Sequence, residues 1–365
     1  MKRRAFLGKA GLGAMAGTAA IAAPAMAQQN HKISWKMAST YGPNLPPLFG
    51  SAEVFCKMIE EASGGQFTIR LYPGGEVVPG FGVLDAVGNR TVDCGQSASY
   101  YYYGKDPTLC FDTAVPFGLN ARQMNAWMDQ GDGLKLMREV FAPRHIVNFP
   151  MGNTGTQMGG WYRKEIKSVA DLKGLKMRTA GFAGEVLSRV GVIPQQISPG
   201  DIYPSLEKGA LDAVEFVGPL DDEKLSLQRV AKYYYYPGWW EGSAQVSLYV
   251  NEKAYAELPK QYQSLIALAS RYAGQQLLTD YDAHNANALR RLVASGAELR
   301  AFPVEVLDAC YDAAQEVYAE FNAKYPQFKK VYDNYMGFRD QTIPWFRLAE
   351  GSYDSYLNRA LNRAK

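Results

Sequence analysis

Short strand patterns alternate with helix patterns along this chain of 365 residues, and this alternation limits its fold more than any other feature. Strand patterns at 33–38, 67–72 and 92–95 enclose helix patterns at 48–63 and 83–89. Apolar residues recur at every second position in the first two strands and at helical spacing in the first helix. Successive strand–helix–strand units build a mostly parallel sheet covered by helices. The sequence therefore predicts an α/β fold.

A second set of the same patterns follows the first. Its strands are expected at 147–150, 157–162, 176–178, 213–216 and 245–250, with a helix at 185–190. The chain is long enough for two domains with a large core. The repetition therefore predicts two α/β lobes that are joined by crossing strands.

The C-terminal third of the chain is predicted to be helical. One pattern runs from 259 to 296, and two more cover 304–324 and 353–363. The long helix is expected to pack through Leu265, Leu268, Tyr272, Gln276 and Leu289. Many aromatic residues between 325 and 348 make this part too apolar for a free tail, so it packs on its own lobe or helps to hold a dimer.

Residues 1–27 have the composition of an export signal. Arg3 and Arg4 precede a run rich in Gly, Ala and Leu, and Ala25-Met26-Ala27 is a small-x-small cleavage site. The sequence Arg-Arg-x-Phe-Leu is typical of a twin-arginine signal, which exports folded proteins. No later segment has roughly 18 uninterrupted apolar residues, the length of a membrane span. The mature protein is expected to be soluble and periplasmic.

The net positive charge of the chain belongs to this signal. The formal net charge is +3, and removing the four positive charges of Lys2, Arg3, Arg4 and Lys9 leaves −1. A basic surface for nucleic acid is therefore not expected.

Histidine and cysteine are scarce. The chain has 3 histidines and 4 cysteines, and it contains neither a His-Glu-x-x-His nor a Gly-x-Ser-x-Gly motif. This disfavours zinc sites and serine hydrolase sites. Cys56, Cys94, Cys110 and Cys310 show no C-x-x-C spacing, so we expect buried free thiols, with a Cys94–Cys110 disulfide as the alternative.

Two predicted strands end in residues of opposite charge. Alternating apolar residues in 175–178 place Arg178 at the end of a short strand, on the side away from the apolar face. A later strand delivers Glu215 to a sheet edge. An arginine at the carboxyl edge of a strand can bind a carboxylate through two parallel hydrogen bonds. We therefore expect a polar site in a cleft.

Two motifs contain these charged residues. The run Asp-Leu-Lys-Gly-Leu-Lys-Met-Arg ends at Arg178, and Leu-Glu-Lys-Gly-Ala-Leu-Asp-Ala-Val-Glu ends at Glu215. Together they resemble the signature of the solute receptors of tripartite ATP-independent periplasmic (TRAP) transporters, nearest to the branch that binds 2-oxo acids and lactate. The resemblance runs from Ile33 to the C-terminal helices. It implies a bilobed periplasmic-binding-protein-like fold with a hinge, one long helix spanning both lobes, and C-terminal helices.

The resemblance also implies domain boundaries. Lobe I is expected to comprise 31–153 and 243–281, and lobe II 154–242 and 282–330. The remaining residues, 331–365, form a C-terminal helical extension that is a candidate dimerisation element.

Ligand-binding residues follow from the same resemblance. Arg178 would anchor a carboxylate, and Tyr100, Tyr101, Gln157 and Phe216 would surround it. Without the resemblance, the tyrosine run 100–103 would count as half-buried packing. Gln157 and Arg178 would then count as ordinary surface residues.

A hard cation, Ca²⁺ or Na⁺, is expected beside the ligand. Gln157, Glu215, Phe216 and Glu241 are the expected metal ligands, and oxygen donors suit such ions. Two glutamates and a ligand carboxylate carry three negative charges against one positive charge on Arg178, and burying this surplus calls for a cation or a proton. In the alternative, Glu241 stays in solvent, Arg178 neutralises Glu215, and no metal binds.

The predicted function is that of a receptor rather than an enzyme. It would capture a small 2-oxo or 2-hydroxy monocarboxylate, such as pyruvate or lactate, and deliver it to TRAP membrane permease subunits, acting as a homodimer. One alternative is a periplasmic cofactor-containing enzyme that the twin-arginine route exports folded. The other is a TRAP receptor for a different organic acid, such as a sugar acid or an ectoine-like zwitterion.

Overall fold

A computed structural model describes residues 32–363, and the predicted signal at 1–27 lies outside the described residues. The strands are β1 (Ile33–Ser39), β2 (Phe67–Tyr72), β3 (Cys94–Ser97), β4 (Ile146–Asn153), β5 (Trp161–Tyr162), β6 (Lys176–Arg178), β7 (Ile193–Gln195), β8 (Ala213–Val214), β9 (Tyr233–Tyr236), β10 (Gln245–Asn251) and β11 (Glu298–Ala301). The α-helices are α1 (Pro46–Ala62), α2 (Val83–Gly88), α3 (Ala121–Gln130), α4 (Gly133–Phe141), α5 (Ala183–Arg189), α6 (Ile202–Glu207), α7 (Pro219–Lys224), α8 (Glu252–Glu257), α9 (Lys260–Ala294), α10 (Val304–Lys324), α11 (Pro326–Phe346) and α12 (Ser352–Arg363).

Lobe I is built on a five-stranded sheet in the order β2-β1-β3-β10-β4. Strand β1 runs parallel to β2 and β3, whereas β10 runs antiparallel to β3 and β4. The predicted strand–helix–strand opening is confirmed, although the third strand begins at Cys94 rather than at 92. The α1 helix buries Phe55 and Ile59 in the core beside Trp35 and Phe67.

Lobe II is built on a six-stranded sheet in the order β11-β9-β5-β8-β6-β7. The strand predicted at 176–178 is confirmed, but the one predicted at 157–162 is reduced to Trp161–Tyr162. Residues 157–160 instead carry the chain from one lobe to the other. The second tyrosine run forms β9, and Tyr234 stacks on Trp161 with ring centroids 4.0 Å apart. The predicted two-lobed α/β architecture is therefore confirmed.

Two segments that cross between the lobes, 154–160 and 237–244, run side by side. The amide of Gln157 donates to the carbonyl of Glu241 at 3.1 Å, and the amide of Gly238 donates to the carbonyl of Gln157 at 3.0 Å. The amide of Thr154 donates to the carbonyl of Ala244 at 3.0 Å. This pairing fixes Gln157 and Glu241 together at the point where the lobes join.

The long helix is confirmed as α9, which contacts α1 and β4 of lobe I and α7 of lobe II. Leu265 and Leu289 pack against the core as expected, but the expected packing of Leu268 and Tyr272 is wrong, because these side chains are 69% and 47% exposed. The helix lies so close to β4 that a Cβ at Gly274 would come within 3.0 Å of the Gly152 amide nitrogen. Small residues, among them Ser270, Ala273 and Gly274, therefore lie where the helix meets β4, while Ile266 and Leu277 are also buried. Among residues 32–363, no helix combines the length and the apolar character that a membrane span requires.

The C-terminal helices return to both lobes. Helix α10 contacts α5 of lobe II, and α11, which the resemblance implied only from 331 onwards as part of a helical extension, contacts α3 and α4 of lobe I. Tyr335 of α11 is buried, accepts a hydrogen bond from the Leu119 amide at 2.9 Å and meets the Trp127 ring at 4.8 Å. Position 331, where the extension was expected to begin, lies inside α11.

All four cysteines are free thiols, so the disulfide alternative is wrong. Cys94, Cys110 and Cys310 are buried, and Cys56 is half-buried. Burial raises the pKa of Cys56 to about 12. These thiols are therefore protonated and contribute packing.

Candidate functional site

Arg178 and Glu215 form a buried ion pair at one edge of the lobe II sheet. Strand β6 ends at Arg178 and β8 ends one residue before Glu215, and the two strands are parallel neighbours. Arg178 Nη1 donates to Glu215 Oε1 at 2.6 Å and to the Glu215 carbonyl at 2.5 Å. The sequence analysis placed both residues at strand ends, and the structure places them in direct contact.

The Arg178 guanidinium keeps one nitrogen without a protein partner. Its Nε donates to the Ile197 carbonyl at 3.3 Å, and its Cζ lies 5.4 Å from the centroid of the Phe216 ring. Within the described chain, Nη2 has no hydrogen-bond partner although the side chain is completely buried. Since Nη1 and Nε already donate to protein, Nη2 is the nitrogen left for a ligand.

Glu215 has one occupied and one unoccupied carboxylate oxygen. Its Oε1 accepts from Arg178 and from the Ala180 amide at 3.1 Å, while Oε2 has no partner among residues 32–363. Burial raises the pKa of Glu215 to about 7, with Arg178 opposing the shift and Asp222 adding to it. The carboxylate is therefore held in place through Oε1, and Oε2 is free to bind a ligand or a cation.

Glu241 follows the turn at Gly238 in the second crossing segment. The side chain is buried, so the alternative in which it remains in solvent is wrong. Burial raises the pKa of Glu241 well above its ordinary value, the charge of Glu215 raises it further, and Arg178 only partly opposes this. In the part of the chain that the structure describes, its Oε2 has no partner.

Gln157 lies on the first crossing segment, where its backbone amide pairs with the Glu241 carbonyl. Its Nε2 donates to Thr154 Oγ1 at 3.1 Å, which leaves the amide oxygen Oε1 as the free atom. The side chain is buried, and Oε1 has no partner among the described residues. Sequence analysis placed this residue in a strand, whereas a loop between the lobes carries it.

Tyr100 and Tyr101 are buried beside these charged groups. The pKa of Tyr100 is raised by burial and then by the charge of Glu241. The pKa of Tyr101 is raised by burial, and Arg178 opposes that shift. The two side chains therefore lie within the electrostatic environment of Glu241 and Arg178.

Asp222 was missed by the sequence analysis. It is buried in lobe II and accepts hydrogen bonds from Trp161 Nε1 at 3.0 Å and from the Tyr234 hydroxyl at 2.6 Å. Burial raises its pKa to about 6, and its charge raises the pKa of Glu215. The only sequence signal was an acidic pair in the first turn of α7, which is also how many helices begin.

Among the residues assigned to ligand and cation, three acceptor oxygens, on Gln157, Glu215 and Glu241, and one donor nitrogen, on Arg178, have no partner in the described structure. Buried polar atoms are nearly always hydrogen-bonded, so such a concentration is typical of a site that binds a polar ligand. Within residues 32–363, no three side chains of His, Cys, Asp or Glu come together to hold a metal ion. A cation here would therefore need the Gln157 amide oxygen or a backbone carbonyl beside the two glutamates. Oxygens of these kinds suit a hard cation.

The site is closed. Exposure of its side chains ranges from 0% for Arg178 to 6% for Tyr101, and residues of both lobes enclose it. A ligand can reach the unpartnered atoms only if the lobes separate along the crossing segments. Hinge motion of this kind is how bilobed proteins admit and trap small molecules.

Comparison with known families and proteins shows what the chain is related to. Residues 38–324 match the family described as bacterial extracellular solute-binding protein, family 7. The chain is 45% identical over 326 residues to the monocarboxylate 2-oxoacid-binding periplasmic protein of Nostoc sp. (strain PCC 7120), and the match covers 89% of each protein.

Two solved structures share both the fold and much of the sequence. A TRAP transporter solute-binding protein from Bordetella bronchiseptica RB50 is 49% identical with a TM-score of 0.90, covering 92% of this chain and 99% of that one, and it is a mixed-occupancy dimer with copurified calcium and picolinate. One from Pseudoalteromonas atlantica T6c, with bound sodium and pyruvate, is 38% identical with a TM-score of 0.87, covering 89% of this chain and 99% of that one.

The match with the family covers most of the chain, and these relatives are all solute-binding proteins. The protein is therefore a periplasmic receptor, and the alternative of a cofactor-containing enzyme is wrong. The chain belongs to the bacterial extracellular solute-binding proteins of family 7, the solute receptors of TRAP transporters.

Proposed function

We propose that this receptor binds a short 2-oxo or 2-hydroxy monocarboxylate together with a hard cation in its closed cleft. The observation that carries the proposal is the set of unpartnered buried atoms on Arg178, Gln157, Glu215 and Glu241. One nitrogen donor suits a carboxylate, and three oxygens suit a cation. The same four residues were assigned to these two tasks from the sequence.

Arg178 is proposed to bind the ligand carboxylate through Nη2. The sequence analysis expected two parallel hydrogen bonds, but Nη1 is already bound to Glu215 and Nε to Ile197. Binding through one end of the guanidinium remains available. The charge-assisted bond would be strong because Arg178 is buried and water cannot compete for it.

Gln157, Glu215, Glu241 and the Phe216 carbonyl are proposed to bind the cation. With the ligand, the site carries three negative charges against one positive charge on Arg178. A divalent ion brings this sum to zero and a monovalent ion leaves one negative charge, which favours Ca²⁺ over Na⁺. A bound cation would also favour the ionised forms of both glutamates, whose pKa values burial raises.

The cation is also the part of the site that would select a 2-oxo acid. Pyruvate and picolinate, found with sodium and calcium in the two related structures, both carry a second donor atom next to the carboxylate. Such molecules can chelate a cation through two atoms, whereas acetate lacks the second one. Tyr100 and Tyr101 are proposed to contact the ligand from lobe I, and the Phe216 ring to line its pocket.

The other parts of the chain fit a receptor that works with a membrane partner. We propose the lobe boundaries given by the resemblance, with closure about the crossing segments at 154–160 and 237–244, and delivery of the ligand to TRAP permease subunits. We also propose a homodimer held by the C-terminal extension. No residue of α12 is buried within the described chain, which supports a partner surface there.

Calorimetry on metal-depleted protein tests the proposal. The protein is dialysed against chelator in sodium-free buffer and titrated with pyruvate, lactate, acetate, a sugar acid or ectoine, each without cation, with Na⁺ and with Ca²⁺. Tight binding of pyruvate or lactate with Ca²⁺, and weak binding of acetate, supports the proposal. Equal affinity under all three cation conditions contradicts the proposal that a cation takes part in binding. Tighter binding of the sugar acid or ectoine than of pyruvate and lactate supports the alternative ligand class.

A further inference from the structure

The tyrosine run 100–103 does more than line the site. Ser99–Tyr102 is a 3-10 turn, so successive side chains point in different directions. Tyr102 turns into its own lobe, where its hydroxyl donates to Ser97 Oγ at 3.0 Å and accepts from the Leu84 amide at 3.2 Å. Tyr103 points the other way, towards lobe II. Its role is not explained by ligand binding or by packing within lobe I.

Three contacts join this turn to lobe II. The Tyr103 hydroxyl donates to Glu185 Oε1 on α5 at 2.6 Å. Gln196 Nε2 donates to the Tyr101 carbonyl at 2.7 Å. A Cβ at Gly181 would lie 2.7 Å from the Tyr100 Cβ, so the two backbones meet closely. All three contacts exist only while the lobes are together.

We propose that Tyr103 and Glu185 form a latch that holds the lobes closed over the ligand. They are positioning residues, because neither is among the residues proposed to bind the ligand or the cation. The latch rests on the proposed function, because it assumes that the closed lobes hold a bound acid. Its effect is therefore expected on the lifetime of the closed complex rather than on the chemistry of recognition.

The surroundings of the pair suit a reversible contact. Both side chains are half-buried, so water can solvate the hydroxyl and the carboxylate when the lobes separate. A fully buried pair would resist opening, because breaking it leaves unsatisfied groups. The Tyr103 ring also lies 6.0 Å from the Phe182 ring of lobe II, edge to face, which orients it towards α5.

Stopped-flow tryptophan fluorescence tests the latch through dissociation of pyruvate in the presence of Ca²⁺. Tyr103→Phe and Glu185→Ala should each speed dissociation about three- to tenfold, the effect of one lost hydrogen bond, while association changes less than about twofold. The double variant should be no faster than either single variant, because both remove the same bond.

Tyr203→Phe is the matched control. Tyr203 donates to Glu207 at 3.1 Å, but both residues lie on α6 within one lobe, so dissociation should not change. Unchanged dissociation in Tyr103→Phe, or effects of the two single changes that add in the double variant, contradicts the latch.

Small-angle scattering of the ligand-free protein separates the latch from the proposed ligand. Tyr103→Phe should increase the radius of gyration relative to wild type, because fewer molecules are closed. If pyruvate does not bind to the wild type, the proposed function fails. The comparison of the two ligand-free proteins then still tests the latch, because it does not depend on pyruvate. Equal radii in that case contradict the latch.

Discussion

One nitrogen of Arg178, Nη1, binds both the carboxylate and the backbone carbonyl of Glu215. This contact leaves Nη2 of the arginine and Oε2 of the glutamate without partners in the described structure. The residue proposed for the ligand carboxylate is thus fixed by a residue proposed for the cation. We therefore expect ligand and cation to bind cooperatively, since ordering one side of the ion pair orders the other.

Replacing Arg178 by lysine should abolish most ligand binding. Lysine keeps the charge, but its single nitrogen cannot serve Glu215, the Ile197 carbonyl and a ligand in the geometry that the planar guanidinium provides. Losing one partner of a buried charged pair costs about 2–5 kcal/mol of binding free energy. Calorimetry with pyruvate measures this, and Arg70→Lys, at an exposed position on β2, is the control. Affinity within a few-fold of wild type in Arg178→Lys contradicts the assignment.

Glu241→Gln should weaken calcium binding while the protein stays folded. Glutamine has nearly the same shape but removes one negative charge from the proposed cation site. We expect at least about a tenfold loss of calcium affinity, since even outer-shell changes at metal sites reach that size. Titration of metal-depleted protein with Ca²⁺ in the presence of pyruvate measures it, with Glu60→Gln on the exposed face of α1 as control. Equal calcium affinity in wild type and Glu241→Gln removes Glu241 from the cation site.

The sequence was sufficient to predict the parts of this site that depend on local pattern. Period-two alternation placed Arg178 at a strand end, and parallel strands necessarily bring their carboxyl ends to one edge. The contact between Arg178 and Glu215 follows from that geometry. The burial of Glu241 could not be predicted in this way, because a glutamate in a turn after Pro and Gly is ordinarily solvated.

The remaining features depend on contacts between distant segments. Gln157 and Glu241 meet because two crossing segments pair, and no local pattern encodes that pairing. The packing of α9 was predicted only in part, because small residues, among them Gly274, lie where the helix meets β4, while Leu268 is exposed. Helix α11 was expected only from 331 onwards, through the resemblance, and its start at Pro326 was missed although Phe328 is buried.

Stability without ligand should fall as pH rises from about 5 to 8. Burial raises the pKa of Glu215 from 4.5 to about 7, so the folded state holds a proton that the unfolded chain has released. That contribution is full below the unfolded pKa and is lost as pH passes the folded one. Asp112, Asp221 and Asp222 are shifted in the same direction. Thermal melting in chelator at pH 5 and pH 8 measures the effect.

Cation binding should reverse this trend, because it requires the ionised carboxylates. Ca²⁺ with pyruvate should raise the melting temperature more at pH 8 than at pH 5. In Glu241→Gln, which has no titratable carboxyl group at position 241, the difference between the two pH values should shrink. An equal rise at both pH values in wild type contradicts proton-linked cation binding at these glutamates.

Gly181→Ala should hinder closure. Gly181 has φ +60, and an added Cβ would lie within 2.7–2.9 Å of three Tyr100 side-chain carbons. Gly174→Ala is the matched control, because Gly174 has φ +75 but nothing within 4 Å. Both changes should cost roughly 1–2 kcal/mol of folding stability through the left-handed backbone. Only Gly181→Ala should weaken pyruvate binding, and only in this variant should the radius of gyration remain large when pyruvate is added. Equal pyruvate affinity in the two variants contradicts a role of this contact in closure.

Removing the chain after Glu350 should convert a dimer into monomers. Helix α12 exposes Tyr353 by 67% and Tyr356 by 68%, and an exposed aromatic face of this kind marks an interaction surface. The lobes do not need it, because α11 already covers lobe I through buried Tyr335. Light scattering should therefore give twice the mass for the full chain, while pyruvate affinity stays the same in both forms.

A second variant shows whether loss of the dimer in the truncated protein comes from α12 itself or from disturbed structure at the new C-terminus. Tyr353→Ser combined with Tyr356→Ser keeps the backbone of α12 and removes only its aromatic surface, so it should also be monomeric. Monomeric full-length protein, or a dimer that persists in both variants, contradicts the proposal. The second result would place the contact on a surface outside α12, because neither variant retains the aromatic face of that helix.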